Sequence, residues 1–82
     1  MYTVYALYNL KHNKIYIGQT EDLERRVELH RTKALTGYTS RYDGEWIVIY
    51  EESQPSRVEA LVREKQLKSF RGREFIRTQI PV

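Results

Sequence analysis

The run Tyr16-Ile17-Gly18-Gln19-Thr20-Glu21-Asp22-Leu23-Glu24-Arg25-Arg26-Val27-Glu28-Leu29-His30 closes the stretch from Tyr5 to His30 on which the fold turns. Its first residues read as strand and its last as helix. On that helix Leu23, Arg26, Val27, His30 and Ala34 share one face, while Glu24, Arg25, Glu28 and Arg31 share the other. Two ionisable side chains, Arg26 and His30, therefore stand where apolar ones belong. A guanidinium buried without a partner is costly, so either a carboxylate waits inside the fold or an anion arrives from outside.

Upstream, Tyr2 to Leu10 alternates Tyr2, Val4, Ala6 and Tyr8 against Thr3, Tyr5 and Leu7, which predicts a strand. Lys11-His12-Asn13-Lys14 supplies a polar turn, and Ile15 to Gln19 returns as the second strand. Pairing Lys11 with Lys14 sets Leu7 opposite Gly18 and Asn9 opposite Tyr16, with Tyr5, Leu7, Tyr16 and Gly18 on one face. Gly18 then leaves a space opposite Leu7 that a substrate or a helix could fill.

Downstream, Thr20 or Asp22 caps a helix over 21–35, which stops before Gly37. Residues 36–45 form a polar loop bounded by glycines, of a length that is often functional. Trp46 to Tyr50 reads as a buried strand, broken by Gln54-Pro55. Ser56-Arg57-Val58-Glu59 is a capping box opening a helix over 56–68, with Ala60, Leu61, Glu64 and Leu67 on its inner stripe and Lys68 beside it. Ser69 to Gly72 interrupts, and 73–79 makes a short last helix.

With 82 residues there is room for one domain spanning 1–82 and no second core. An apolar content of 40% with 30% charged residues is that of a soluble globule, and no run approaches the roughly 20 apolar residues of a membrane span. No targeting pattern opens the chain, and no cysteine offers a disulfide or a thiolate metal site, which together read as cytoplasmic. The net charge of +3 is modest but uneven. Arg63, Lys65, Lys68, Arg71, Arg73 and Arg77 stand against only Glu64 and Glu74 over residues 63–77, an excess suited to a polyanion or to a solvated helix face.

Glu64 repeats the anomaly of Arg26, a charge on an inner stripe. One reading is a buried ion pair between them. The other is a phosphodiester site, in which an arginine fork meets the charge that builds on the phosphate oxygens and a single carboxylate holds Mg²⁺ or Mn²⁺. For the water's proton, His30 is the easier base, since a tyrosine has an ordinary pKa near 10. Tyr38 and Tyr42, interleaved with Arg41, could stack on unpaired bases.

The same residues resemble the GIY-YIG nuclease family, in its small stand-alone single-domain form. Val4-Tyr5-Ala6 stands at the first tripeptide motif, Tyr16-Ile17-Gly18 matches the second, and Asp22-Leu23-Glu24-Arg25-Arg26 follows at the family's distance. The likeness continues through Ser56 to Lys68 and Gly72-Arg73-Glu74-Phe75. It implies an α/β domain of the α+β type, a small, mainly antiparallel three-stranded sheet flanked by helices. It further implies Tyr5 and Tyr16 as the motif tyrosines, Arg26 and His30 on the first helix, and Glu64 as the metal-binding glutamate. Three departures stand out: Gln19 where several relatives carry Lys, a first motif reduced to its tyrosine, and Asp43-Gly44-Glu45 where relatives tend to have a basic pair before a proline.

The expectation is a metal-dependent endonuclease cutting DNA, structure-selective or serving repair or recombination. Its catalytic set is Tyr5, Tyr16, Arg26, His30 and Glu64, and its substrate contacts are Gly18, Gln19, Tyr38, Arg41, Lys68, Arg71 and Arg73. A tyrosine or His30 is the base. The rival is a nucleic-acid-binding module of the same fold without catalysis.

Overall fold

The computed structural model describes residues 1–32 and 37–81. Alternating apolar residues make Tyr2–Asn9 (β1) and Lys14–Thr20 (β2) an antiparallel hairpin, and Trp46–Gln54 (β3) pairs antiparallel with the other side of β1, giving the order β2-β1-β3. This is the expected sheet. Its hairpin register differs from the sequence reading: Tyr5 opposes Gly18 and Leu7 opposes Tyr16. The turn takes in Leu10 and Lys11 as well as His12 and Asn13, and Asn13 closes it in the left-handed region at φ 53°. A shift by an even number of residues keeps every side chain on its face, so Tyr5, Leu7, Tyr16 and Gly18 still point the same way. β3 runs past Tyr50 to Gln54, where Pro55 stops it.

Three helices follow from local capping. Leu23–Arg31 (α1) begins behind Asp22, whose carboxylate accepts from the Arg25 amide at 3.1 Å, so the helix starts two residues later than expected. The remainder of that expectation, residues 33–35 with Ala34 on the inner stripe, lies outside the described residues, as does position 36 of the loop. Arg57–Lys68 (α2) begins behind Ser56, whose hydroxyl accepts from the Glu59 amide at 3.2 Å, one arm of the capping box read from sequence; the Glu59 carboxylate accepts from the Ser56 hydroxyl and not from its amide. Phe70–Arg77 (α3) departs from the reading over 73–79, because Ser69 alone ends α2 and caps α3, accepting from the Gly72 amide at 3.3 Å. Between α1 and β3 the loop carries a short 3₁₀ turn at Thr39–Arg41.

The sheet is covered on both faces. Val4, Ala6 and Ile17 pack against Ala60, Leu67 and Ile76 of α2 and α3. Tyr5, Leu7 and Trp46 form the second cluster, with Leu23 and Val27 of α1 packed on it. Leu61, expected inside, is 41% exposed. Arg63 takes its place on the half-buried flank because its Nε donates to both Glu52 carboxylate oxygens, at 3.0 and 3.1 Å, tying α2 to β3. Burial alone would raise the Glu52 carboxyl, but hydrogen bonds from Tyr50, Arg63 and Gln54 outweigh it and hold the carboxyl below its ordinary range. Among the described residues no helix is long and apolar enough to cross a membrane.

Gly72 is where α3 closes on α2. A Cβ there would lie 2.2 Å from the Gln66 carbonyl oxygen and 2.4 Å from Leu67 Cα, both backbone atoms that cannot swing aside. Gly72→Ala is expected to destabilise the domain by about 1–3 kcal/mol, read as a lower urea midpoint. Phe70→Ala, at a position 78% exposed, should stay within about 0.5 kcal/mol of the parent. Equal midpoints for Gly72→Ala and the parent would refute this account of the α2–α3 junction.

Candidate active site

Tyr5 and Gly18 face each other across the hairpin, and this pairing builds the site. A Cβ on Gly18 would sit 2.9 Å from the Tyr5 hydroxyl and 3.0 Å from the Tyr16 ring, so only glycine lets the Tyr5 phenol cross β2. The space foreseen opposite Leu7 is thus opposite Tyr5, and Tyr5 fills it. The phenol reaches His30, its Oη 3.1 Å from Nε2, and the other ring nitrogen, Nδ1, lies 2.8 Å from Thr39 Oγ1. Tyr16 completes the cluster with its ring centroid 4.9 Å from that of His30 and 6.2 Å from that of Tyr5.

Burial sets the protonation states. Tyr5 is 1% exposed and His30 2%. Desolvation first, and then the neighbouring Tyr16, push the Tyr5 phenol well above its ordinary range, against the opposing pull of Arg26. Burial, then the charge of Arg26, push the His30 imidazolium below its ordinary range. Tyr5 is therefore a protonated donor to a neutral imidazole at Nε2, which leaves Nδ1–H to donate to Thr39. Thr39 was missed from sequence: it comes from a loop, and no spacing rule connects it to His30.

The half-buried Arg26 bears on both Tyr5 and His30, and Glu64 bears on Tyr5. The two anomalous charges therefore both act on Tyr5, yet not as an ion pair with each other. Glu64 instead takes the Lys68 ammonium at 2.6 Å, one helical turn on, and its side chain is 20% exposed. This corrects the reading of a buried Arg26–Glu64 pair as the brace of the fold. The bridge between elements is Glu52–Arg63.

Beside Tyr16 opens a cleft of about 380 Å³ that wraps the outer edge of β2. Of the residues expected to contact substrate, Tyr38, Lys68 and Arg73 line it, and Lys14 and Arg77 line it with them. Arg77 was visible only as a basic residue one turn beyond Arg73. Other expected contacts lie elsewhere. Arg71 lines a shallower depression on the far side of α3 with Gln66 and Phe75, and Arg41 is exposed on the 3₁₀ turn. Gln19 points, by strand alternation, to the opposite face from Tyr16, with its Oε1 buried and lacking a hydrogen-bond partner among the described residues. Asp43 is an anchor: Lys11 and then His12 hold its carboxyl down to about 2, joining the hairpin tip to the loop.

A family model described as the GIY-YIG catalytic domain matches residues 1–75. The chain belongs to the GIY-YIG family. That is a nuclease family, and its members generally depend on a divalent metal and act on DNA. A similar fold is found in the solution NMR structure of the UPF0213 protein of Bacillus halodurans, with 30% identity and a TM-score of 0.56 over 98% of this chain and 86% of that one. No curated protein matches the chain. The three-stranded antiparallel sheet with its helices is thus the GIY-YIG arrangement, as the motif residues implied.

The buried His30 carries a stability signature. Because the fold lowers the proton affinity of His30, the unfolded chain binds more protons below the ordinary imidazole value of 6.5. Stability should therefore fall as pH drops through that value toward the depressed one, and hold level above it. Melting temperatures recorded from about pH 8 to 5 are expected to show this decline in the parent and a shallower one in His30→Gln. An identical slope in both proteins would mean that another group is responsible.

Proposed function

We propose that this GIY-YIG domain is a divalent-metal-dependent endonuclease that hydrolyses DNA phosphodiester bonds at the Tyr5, Tyr16, Arg26, His30 and Glu64 cluster. The observation that supports it best is that Arg26 and Glu64 both act on Tyr5 without pairing to each other, Glu64 being taken by Lys68, so that among the described residues no carboxylate competes with an arriving phosphate for the guanidinium. Arg26, two donors in a planar fork, meets the charge that grows on the non-bridging oxygens. Tyr16, half-buried at the cleft, is the tyrosine that meets the attacking water; acting as the phenolate, its own proton having passed to solvent, it takes the water's proton. Tyr5 and His30 are too buried to touch that water, so they act as positioning residues, holding Tyr16 from behind. The water oxygen bonds to phosphorus, the bond to the leaving ester oxygen breaks, and that oxygen takes a proton from solvent.

The residues fit a divalent ion in the sparse way Mg²⁺ or Mn²⁺ accepts. Glu64 offers one hard, partly exposed carboxylate, and among the described residues no group of three or more His, Cys, Asp or Glu side chains comes together. Such an ion keeps most of its waters and completes its shell with substrate oxygens. When bound it would supply Lewis-acid stabilisation of the phosphate and of the leaving oxygen. Lys68 would then leave the Glu64 carboxylate, and a phosphate oxygen is its natural next partner. Roles in repair or recombination, and a preference for branched DNA, suit the open basic cleft.

Nicking of supercoiled plasmid with Mg²⁺ or Mn²⁺ tests the proposal. Loss of one electrostatic group typically costs about 10²–10³ in rate, so Arg26→Ala and Glu64→Ala should fall by that much, and chelator should abolish nicking. Tyr16→Phe should lose more than His30→Ala or Tyr5→Phe. Salt-dependent binding with no cutting under either metal would establish instead a binding module, and full activity in Tyr16→Phe, His30→Ala and Tyr5→Phe alike would remove the mechanism.

A further inference from the structure

The cleft beside Tyr16 is more than the rim of a phosphate site. Its described lining carries Lys14, Lys68, Arg73 and Arg77 and no carboxylate. Lys68 is already paired with Glu64, but Lys14, Arg73 and Arg77, from β2 and α3, have no carboxylate partner among the described residues, and their mutual repulsion is relieved by an anion that stays. The walls between them are not polar. Ile15 and Tyr16 form one side and Tyr38, 39% exposed, another. The Tyr38 ring is stacked on Tyr16 at 6.3 Å and 29°, and it also packs against Trp46 at 6.2 Å, so its plane is fixed before any ligand comes.

Size and edge chemistry narrow the ligand. A volume of about 380 Å³ lies at the small end of the roughly 300–1,000 Å³ of ligand pockets, enough for one ring system and a phosphate. A duplex, about 20 Å across, does not enter it. Among the described residues β2 has no strand on its outer side, so alternate backbone N–H and C=O groups along Asn13 to Ile17 face outward at the cleft. Such groups are the donors and acceptors that a base edge, freed from pairing, requires. Single-strand sites combine these same elements: cations for the backbone and an aromatic ring for the base.

We infer that this cleft is a subsite for one unpaired nucleotide of a DNA strand, its phosphate held by Arg73 and Arg77 and its base on Tyr38. The inference deepens the nuclease reading and rests on it only for what lies next door. The cut then falls beside a base that has left its partner, which makes strand ends, flaps and junctions preferred over continuous duplex.

Equilibrium binding to the metal-free protein tests this separately from cutting. ¹⁵N-resolved spectra would be followed during titration with thymidine 5′-monophosphate, thymidine and inorganic phosphate, and affinity measured for a DNA hairpin with a one-nucleotide overhang and its blunt counterpart. The monophosphate should move the Ile15, Tyr38 and Arg77 amides, and the overhang should bind at least about tenfold tighter than the blunt end, the scale of one stacked base. Tyr38→Ala should remove that preference while leaving phosphate binding intact. Arg77→Glu, at an exposed position, should weaken the monophosphate and phosphate alike. Equal affinity for overhang and blunt end, or phosphate alone reproducing every shift with Tyr38→Ala silent, would reduce the cleft to a plain anion site and overturn the inference. Failure to cut DNA bears on the nuclease reading and leaves these binding results to stand or fall by themselves.

Discussion

The passage of the Tyr5 phenol across Gly18 is the constraint on which the rest of this molecule depends. A side chain at position 18 would meet the Tyr5 hydroxyl at 2.9 Å, and without that crossing the phenol would not reach His30. His30 in turn fixes the loop through Thr39, and the loop carries Tyr38 to the mouth of the cleft. One missing Cβ therefore connects the hairpin, the first helix and the loop into a single arrangement. The polar chain from Tyr5 through His30 to Thr39 is buried but satisfied, which lets it define geometry without the cost of an orphaned group.

Around that chain the two ionised groups are placed so that neither cancels the other. Had Arg26 and Glu64 met directly, each would have cancelled the other's charge beside Tyr5. The bracing is delegated to Glu52 and Arg63 across β3 and α2, and Glu64 is partnered by Lys68, whose long stem can let go. The charges near the tyrosines thus stay available, and those that hold the helices in place are kept apart from them. This division explains why both inner stripes contain a charge and why only one such charge on α2, that of Arg63, is spent on the fold.

Much of this was legible in the sequence, for reasons that can be named. Strand alternation fixed the faces of Tyr5, Leu7, Tyr16 and Gly18 even though the register was read two residues off, because the parity of a strand survives an even slip. Asp22 and Ser56 announced their helices by side-chain caps, which act over three residues. What failed was non-local or ambiguous. Gly72 reads as a breaker, yet it serves close packing inside α3, a distinction that depends on Gln66 and Leu67 lying above it. Thr39, Lys14 and Arg77 owe their places to elements far apart in the chain. The Lys68 pairing with Glu64 was written in the spacing of four residues, but the expectation of a partner across the fold obscured it.

The open flank of β2 has one more consequence. A three-stranded sheet with an unpaired margin is an invitation to a second copy, since strand can add to strand without limit. Here the same margin is fringed by Lys14, Lys68, Arg73 and Arg77, so two molecules approaching flank to flank would confront like charges. Like charge along this margin therefore opposes backbone pairing between copies, and that opposition is strongest when no polyanion is there to mask it.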